Sequence, residues 1–344
     1  MIENQHIWQI GTGDATRDYS KLCLDFGIAI VGPGAPGDSR NPETEKYYKK
    51  TGLKDWGKCL MEIKEGDIVL LRRGQTLIKA VGVVVKGYDF SLNLSDIHGW
   101  DLNHFVTAEW CVKEDETDIV LPSALIGYST MSSVEKNYEK IKDIINNHNL
   151  KRVHSKRKLG ELKYPNQVNE DDIKNHLIES GIRISDAFNI TETIGRIIVL
   201  VKWYTKNDPT VLEHELRTFM VIPFLLSLGW SEQKIKIEYY KVDIALFEQP
   251  YKKGTKDEPL MLIETKTFDD GLLFAQKQLD HYASDFPNCK QIVTTNGYRY
   301  CYYKKQNKEF DRYCYFNLLD MREFDYIDND VKGVLDGIIE ISNF

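Results

Sequence analysis

Two short apolar runs carry charges where a buried segment would ordinarily have none. Val242-Asp243-Ile244-Ala245-Leu246-Phe247 holds one carboxylate, and Leu262-Ile263-Glu264-Thr265-Lys266-Thr267 holds a carboxylate and an ammonium. Apolar and β-branched residues on both sides of each charge predict strands. Each charge is then held at a defined point beside a core. Glu264 and Lys266 are two apart, so on a strand both point to one face. Twenty residues separate Asp243 from Glu264. A carboxylate pair with an adjacent ammonium can hold Mg²⁺, which wants oxygen ligands and keeps several waters. The ammonium can position or deprotonate an attacking water. A lone Glu-x-Lys on a strand is commonplace and usually solvated, so its meaning depends on what surrounds it.

What surrounds it is ordered. Asn169-Glu170-Asp171-Asp172 reads as an acidic helix start. Ile194–Trp203 reads as a buried helix. Pro209 and Thr210 open another, with Leu212, Leu216, Phe219, Met220 and Pro223 on one face, ending near Gly229-Trp230. Strand patterns come next at Ile235–Tyr239, Val242–Phe247, Leu260–Thr265 and Gln291–Thr295, with a helix over Gln276–Ala283 before the last. Residues 213–303 resemble the PD-(D/E)xK nuclease superfamily, most of all the nuclease domains of type I restriction-enzyme endonuclease subunits. The carriers are Glu213-His214-Glu215-Leu216-Arg217, Pro223–Trp230, Asp243, Ile263-Glu264-Thr265-Lys266 and Ile292–Gly297. Gln278-Leu279-Asp280-His281-Tyr282 matches the Q-x-x-x-Y helix motif of RecB-like nucleases.

The resemblance implies a mixed sheet flanked by helices. It implies that Asp243 and Glu264 ligate Mg²⁺, with Mn²⁺ able to substitute, and that Lys266 is the catalytic lysine. Glu213 or Glu215 would complete the metal shell; Glu213, four residues before Arg217, fits the family's E-x-x-x-R spacing better. Gln278 and Tyr282 would contact DNA or orient Lys266. Val242 departs from the residue many members carry before the Asp, at a position that tolerates variation.

The first 112 residues read as strands and turns. Ile7-Trp8-Gln9-Ile10 and Gly27–Gly32 are short apolar runs, the second stopped by Pro33-Gly34-Ala35-Pro36-Gly37. Ile68–Arg73 and Leu77–Val85 flank a Gly-containing turn and predict a hairpin, in a small barrel or sandwich. The strand with Trp8, Lys64-Glu65-Gly66-Asp67-Ile68-Val69-Leu70 and Ala80–Val84 together resemble a PUA-like domain, the class that includes EVE, YTH and ASCH modules. That class implies a β-barrel that recognises modified nucleotides. A flipped base can be held by aromatic stacking and edge hydrogen bonds, and Trp100 with Asp101 is the favoured pocket, followed by Tyr19, Trp56 and Trp8. Most of the unit's aromatics have a plainer role as core. Gly32-Pro33-Gly34 lacks the residues of a phosphate-binding loop and reads as a rigid turn near the pocket.

Residues 113–167 read as a connector with a helix through Tyr138, Ile141, Ile144 and Ile145, and a boundary near Pro165. Lys151, Arg152, Lys156, Arg157 and Lys158 place five permanent cations in eight residues. Such a run serves either as a solvated linker or as a track for a nucleic-acid backbone. The chain of 344 residues then divides into a reader over 1–112, a connector over 113–167 and a helical region with nuclease domain over 168–344. The net charge of −7 argues against a protein that binds nucleic acid through a broad basic surface, although a whole-chain sum can hide local cationic sites. The six cysteines form no CxxC pair, which argues against zinc and for a reduced, cytoplasmic setting. No apolar run approaches the length of a membrane span.

The expectation is an α+β or α/β two-domain protein: a modification-dependent restriction endonuclease that binds a modified cytosine or adenine in DNA and hydrolyses phosphodiester bonds with Mg²⁺. Cutting both strands calls for a homodimer, and the lack of a helicase or ATPase signature predicts no need for ATP. The alternatives are an RNA-directed nuclease and a nucleic-acid sensor with a structural nuclease fold.

Overall fold

In the computed structural model the chain separates into two units, Met1–Leu162 and Lys163–Phe344. The structure describes all residues except 1–4, 14–17, 35, 98–99, 123–124, 128, 163–164, 209, 255–257, 269–271, 273–278, 280, 282, 308, 326 and 328–329. Each unit is α+β and built on its own mixed sheet. No helix among the described residues is long and apolar enough to cross a membrane.

The first unit's strands are β1 (Ile7–Gly11), β2 (Ile28–Val31), β3 (Ile68–Arg73), β4 (Leu77–Phe90), β5 (His104–Lys113), β6 (Ile119–Val120), β7 (Met131–Ser133) and β8 (Leu150–Val153). Its main strand order is β2-β5-β4-β3-β1-β7. The predicted hairpin is present: β3 and β4 are antiparallel, with Leu71 opposite Ala80. β1 lies parallel to β3, Ile10 beside Leu71. The expected closed barrel is not formed by the described residues; the strand path is open from β2 to β7.

The connector over 113–167 is also corrected. Its described residues up to 162 belong to the first unit. β6 pairs with β4, β7 with β1, and β8 with β5. The helix Tyr138–Asn146 buries Ile141 and Ile145 in one core with Ile7, Ile68, Leu70 and Val81. A strand such as β8, with Lys151 and Arg152 exposed, has too little apolar alternation to declare itself.

In the second unit, β9 (Ile235–Tyr239), β10 (Val242–Leu246), β11 (Met261–Thr265), β12 (Gln291–Thr295), β13 (Arg299–Gln306) and β14 (Glu309–Asn317) form a sheet ordered β14-β13-β12-β11-β10-β9. β10 and β11 are antiparallel, β11 and β12 parallel. Ile244, Leu246, Ile263 and Val293 line one face and join a core with Leu216, Met220, Phe224 and the helix Val334–Ile341. Ala245, Leu262, Ile292 and Tyr303 line the other. Period-two alternation accounts for both sets.

Two helices depart from expectation. The helix Ile184–Asn207 contains the predicted Ile194–Trp203 segment, yet Val199 is 66% and Trp203 54% exposed, so only one stripe of it is buried. The segment from Glu213 is broken into Glu213–Leu216, one π-helical turn Arg217–Val221, and Ile222–Ser227. A π turn adds a residue and rotates the phase of the helix beyond it. Leu216 before the turn and Met220 within it face the core and Phe219 faces solvent, while Leu212, also exposed, precedes the helix in extended backbone.

Candidate active site

β10 and β11 run side by side with Ile244 opposite Ile263. One step further, the register sets Asp243 opposite Glu264 on the same face. Both lie at the same end of the sheet, where β10 begins and β11 finishes. Lys266 comes directly after, its N–H donating to the Thr295 carbonyl at 2.8 Å and continuing the β11–β12 ladder. Glu264 is 4% and Lys266 7% exposed. The Lys266 ammonium donates to Glu264 Oε1 at 2.9 Å and lies 3.9 Å from Glu213 Oε1.

Asp243 is gripped from two sides. Its Oδ2 accepts the Thr265 N–H at 2.8 Å and the Thr265 hydroxyl at 2.6 Å. Its Oδ1 lies 3.2 Å from Arg217 Nη1, which is buried and makes no aligned hydrogen bond among the described residues. Arg217 Nη1 is also 3.8 Å from Glu238 Oε1. Arg217 begins the π turn, so the irregularity sits where the helix approaches the carboxylates. Neither Thr265 nor the contact of Arg217 with Asp243 is evident from the sequence, because both depend on how the register and the helix end meet.

Burial pushes the Glu264 carboxyl above the ordinary Glu value; Lys266 opposes this, and the charges of Asp243 and Glu213 add to it. For Lys266, burial acts to lower the pKa. The hydrogen bond to Glu264 and the charges of Glu264, Glu213 and Asp243 outweigh it, so the ammonium is held above the ordinary Lys value. The pair is thus a protonated lysine against a carboxyl that resists ionisation.

Glu264 Oε2 is buried and has no hydrogen-bond partner among the described residues. A buried carboxylate oxygen left unsatisfied is costly, and this one lies beside Asp243. The donors are all oxygen, which suits a hard cation such as Mg²⁺; that ion needs only one or two carboxylates and keeps waters. Among the described residues no group of three His, Cys, Asp or Glu side chains is drawn together to hold a metal. Glu213 reaches the same centre from its helix, its Oε1 beside the Lys266 ammonium. Glu215 bears on Tyr204, whose pKa is raised by burial first and by the Glu215 charge second. Gln278 and Tyr282 lie outside the described residues.

In the first unit, the aromatic candidates occupy separate features. Trp8 is buried and lines an open cleft, its Nε1 donating to Asp67 Oδ2 at 3.0 Å. Tyr19 is buried at the start of the helix Ser20–Phe26. Trp56 is half-buried under the Lys54 ammonium, 4.1 Å from the ring centroid. Trp100 is half-buried and exchanges backbone hydrogen bonds with Ile97. The Asp101 carbonyl accepts the Gly34 N–H at 3.1 Å, so the Gly32-Pro33-Gly34 turn packs against it.

A buried His104 was not apparent from the sequence. Its Nδ1 meets Tyr88 Oη at 2.9 Å and its Nε2 the Pro33 carbonyl at 3.1 Å. Burial lowers its pKa.

The basic run is not a free cationic tether. Lys151 pairs with Glu116 at 2.7 Å, Arg152 with Glu109, Lys156 with Asp25 at 3.9 Å and Lys158 with Glu161 at 3.2 Å. Arg157 lies 4.8 Å from the Phe26 ring centroid. The β8–β5 ladder and the Lys156 and Arg157 N–H groups, which donate to the Asp25 carbonyl at 2.9 and 3.0 Å, fix the run on the first unit, so it is no linker.

A protein-family profile described as a domain of unknown function (DUF8426) matches residues 8–123. No curated protein matches the chain.

Proposed function

We propose that the chain is a Mg²⁺-dependent endodeoxyribonuclease whose second unit hydrolyses phosphodiester bonds and whose first unit reads a modified base, making it a modification-dependent restriction endonuclease. The observation that carries this reading is the buried Glu264–Lys266 pair beside Asp243, with Glu264 Oε2 unpartnered among the described residues. The mixed sheet with its flanking helices supports a PD-(D/E)xK fold for the second unit, and the β3–β4 hairpin within a mixed sheet supports a PUA-like first unit.

Asp243 and Glu264 would hold the metal, which supplies charge stabilisation at the phosphate and a more acidic water. Thr265 fixes Asp243 through two hydrogen bonds, so the carboxylate is oriented before anything binds. Lys266 stays protonated in the absence of substrate and places a positive charge next to Glu264. From there it can orient a water toward phosphorus and steady the anionic transition state. Glu213, half-exposed at the mouth, adds negative charge that keeps Lys266 in place. Double-strand cleavage calls for two such sites, hence a homodimer on DNA.

The test is digestion of DNAs carrying different modified bases, alongside unmodified DNA and RNA, with Mg²⁺ or Mn²⁺. Cleavage confined to one modified DNA is the expected result. Cleavage of RNA alone, or of nothing, overturns the reading.

A further inference from the structure

Two open clefts of the first unit meet at Lys64. One, of about 640 Å³, has His6, Trp8, Asp67, Ser133 and Glu135 among its walls. The other, also about 640 Å³, has Arg40, Glu65, Lys86 and Tyr88 among its walls. Lys64 lines both. Asp67 joins them mechanically: its Oδ2 accepts the Trp8 indole N–H at 3.0 Å and the Lys64 backbone N–H at 2.9 Å. One carboxylate thereby fixes the indole edge and the turn that carries Lys64.

The two ends differ in chemistry. In the second cleft the Arg40 guanidinium lies 5.3 Å from the Tyr88 ring centroid. Asp89 draws Arg40 and Lys86 together, at 3.3 and 2.7 Å. Asp38 holds Arg40 from the other side at 2.6 Å. These pairs are solvent-exposed, so each stabilises little and leaves donors for an incoming anion. In the first cleft the exposed His6 ring stands 5.2 Å from Trp8. His6 Nε2 meets Ser133 Oγ at 3.0 Å, and that hydroxyl donates to Glu135 Oε1 at 3.3 Å. Around the ring stand the acceptors Asp67, Glu135 and serine oxygens, and Lys54 and Glu62 line the same cleft. Acceptors beside an aromatic ring suit a heterocycle that presents N–H donors, as the amino groups of cytosine and adenine do.

We infer that this groove is a nucleotide site. An amino-bearing base lies against His6 beside Trp8, and its phosphate lies at Arg40, Lys64 and Lys86. The inference rests on the reading of the chain as a nucleic-acid enzyme and deepens it. It puts the base at Trp8 and not at Trp100, Asp101, Tyr19 or Trp56.

The experiment uses the full chain in EDTA, which separates binding from cleavage. Anisotropy is followed with short labelled oligonucleotides of dC, of dT and of ribo-C across a salt series. Wild type should prefer dC over dT; ribo-C separates a DNA site from one indifferent to the sugar. Lys64→Gln with Lys86→Gln, both at exposed positions, should weaken binding about tenfold. It should also make the log–log salt slope shallower by about 1.4, the value for two lost single-strand phosphate contacts. His6→Ala should erase the dC preference and leave the salt slope unchanged. An unchanged slope in the double variant, equal binding of dC and dT, or no binding at all overturns the proposal. If the double variant binds like wild type while wild type still cuts with Mg²⁺, the groove is wrong and the nuclease reading stands. If the groove behaves as stated and wild type cuts nothing, the nuclease reading falls alone.

Discussion

Thr265 gives the sharpest test of how the site is built. Its hydroxyl and its N–H both reach Asp243 Oδ2, at 2.6 and 2.8 Å, and Thr265 itself is fully buried. Thr265→Val keeps the β-branched shape and the backbone bond, and removes only the hydroxyl donor. A hydrogen bond to a charged group contributes roughly 1.5–3 kcal/mol. Arg217 does not replace it, since its Nη1 faces the other oxygen. Loss of a group that orients a metal ligand weakens metal affinity or activity about 10- to 100-fold. The direct assay is Mn²⁺ binding to the purified variant by calorimetry, with nucleic-acid cleavage measured in parallel. Thr265→Ser retains the donor and should restore most of the loss. If Thr265→Val binds Mn²⁺ and cuts as wild type does, Asp243 is not held by this hydroxyl in any way that matters.

Other expectations come from the same geometry. Glu213→Ala should reduce cleavage about tenfold by loosening Lys266, while Glu215→Ala should leave it near wild type; the reverse order would move the helix carboxylate. Because burial raises the Glu264 carboxyl, protons compete with Mn²⁺ there at higher pH than at an exposed Glu. Lys266 lowers that value, so Lys266→Met should shift the acid limb of Mn²⁺ binding to still higher pH; a limb that stays put or moves down contradicts the assignment. Gly57→Ala would set a Cβ 2.2 Å from Ser39 Oγ and 2.6 Å from His104 Nδ1. Overpacking of that kind costs about 1–3 kcal/mol, read as a lower urea midpoint, and an unchanged midpoint would show that the backbone yields freely.

The site's centre was readable from the sequence because charge inside an apolar strand is a rare and positional signal. Asp243, Glu264 and Lys266 stand on one sheet end, as their neighbours Val242, Ile244 and Ile263 implied. The choice between Glu213 and Glu215 was not readable, since the π turn at Arg217–Val221 rotates the helix after them. β13 and β14 are hidden in the sequence because Lys304, Lys305, Asp311 and Arg312 interrupt their apolar alternation, although Tyr300, Tyr302 and Phe316 pack the core. The place of Lys151–Lys158 was hidden for a different reason: its partners Asp25, Glu109 and Glu116 lie far away along the chain. Pairing across such separations is settled by tertiary packing and leaves no local trace.

We propose that Asp243, Glu264 and Lys266 cut a nucleic-acid backbone. Wild type, Asp243→Asn and Lys266→Ala, purified identically, should be incubated with modified DNA in Mg²⁺. Cleavage by wild type alone, abolished by EDTA and absent from both variants, is the expected result. Equal cleavage by wild type and Asp243→Asn would contradict it.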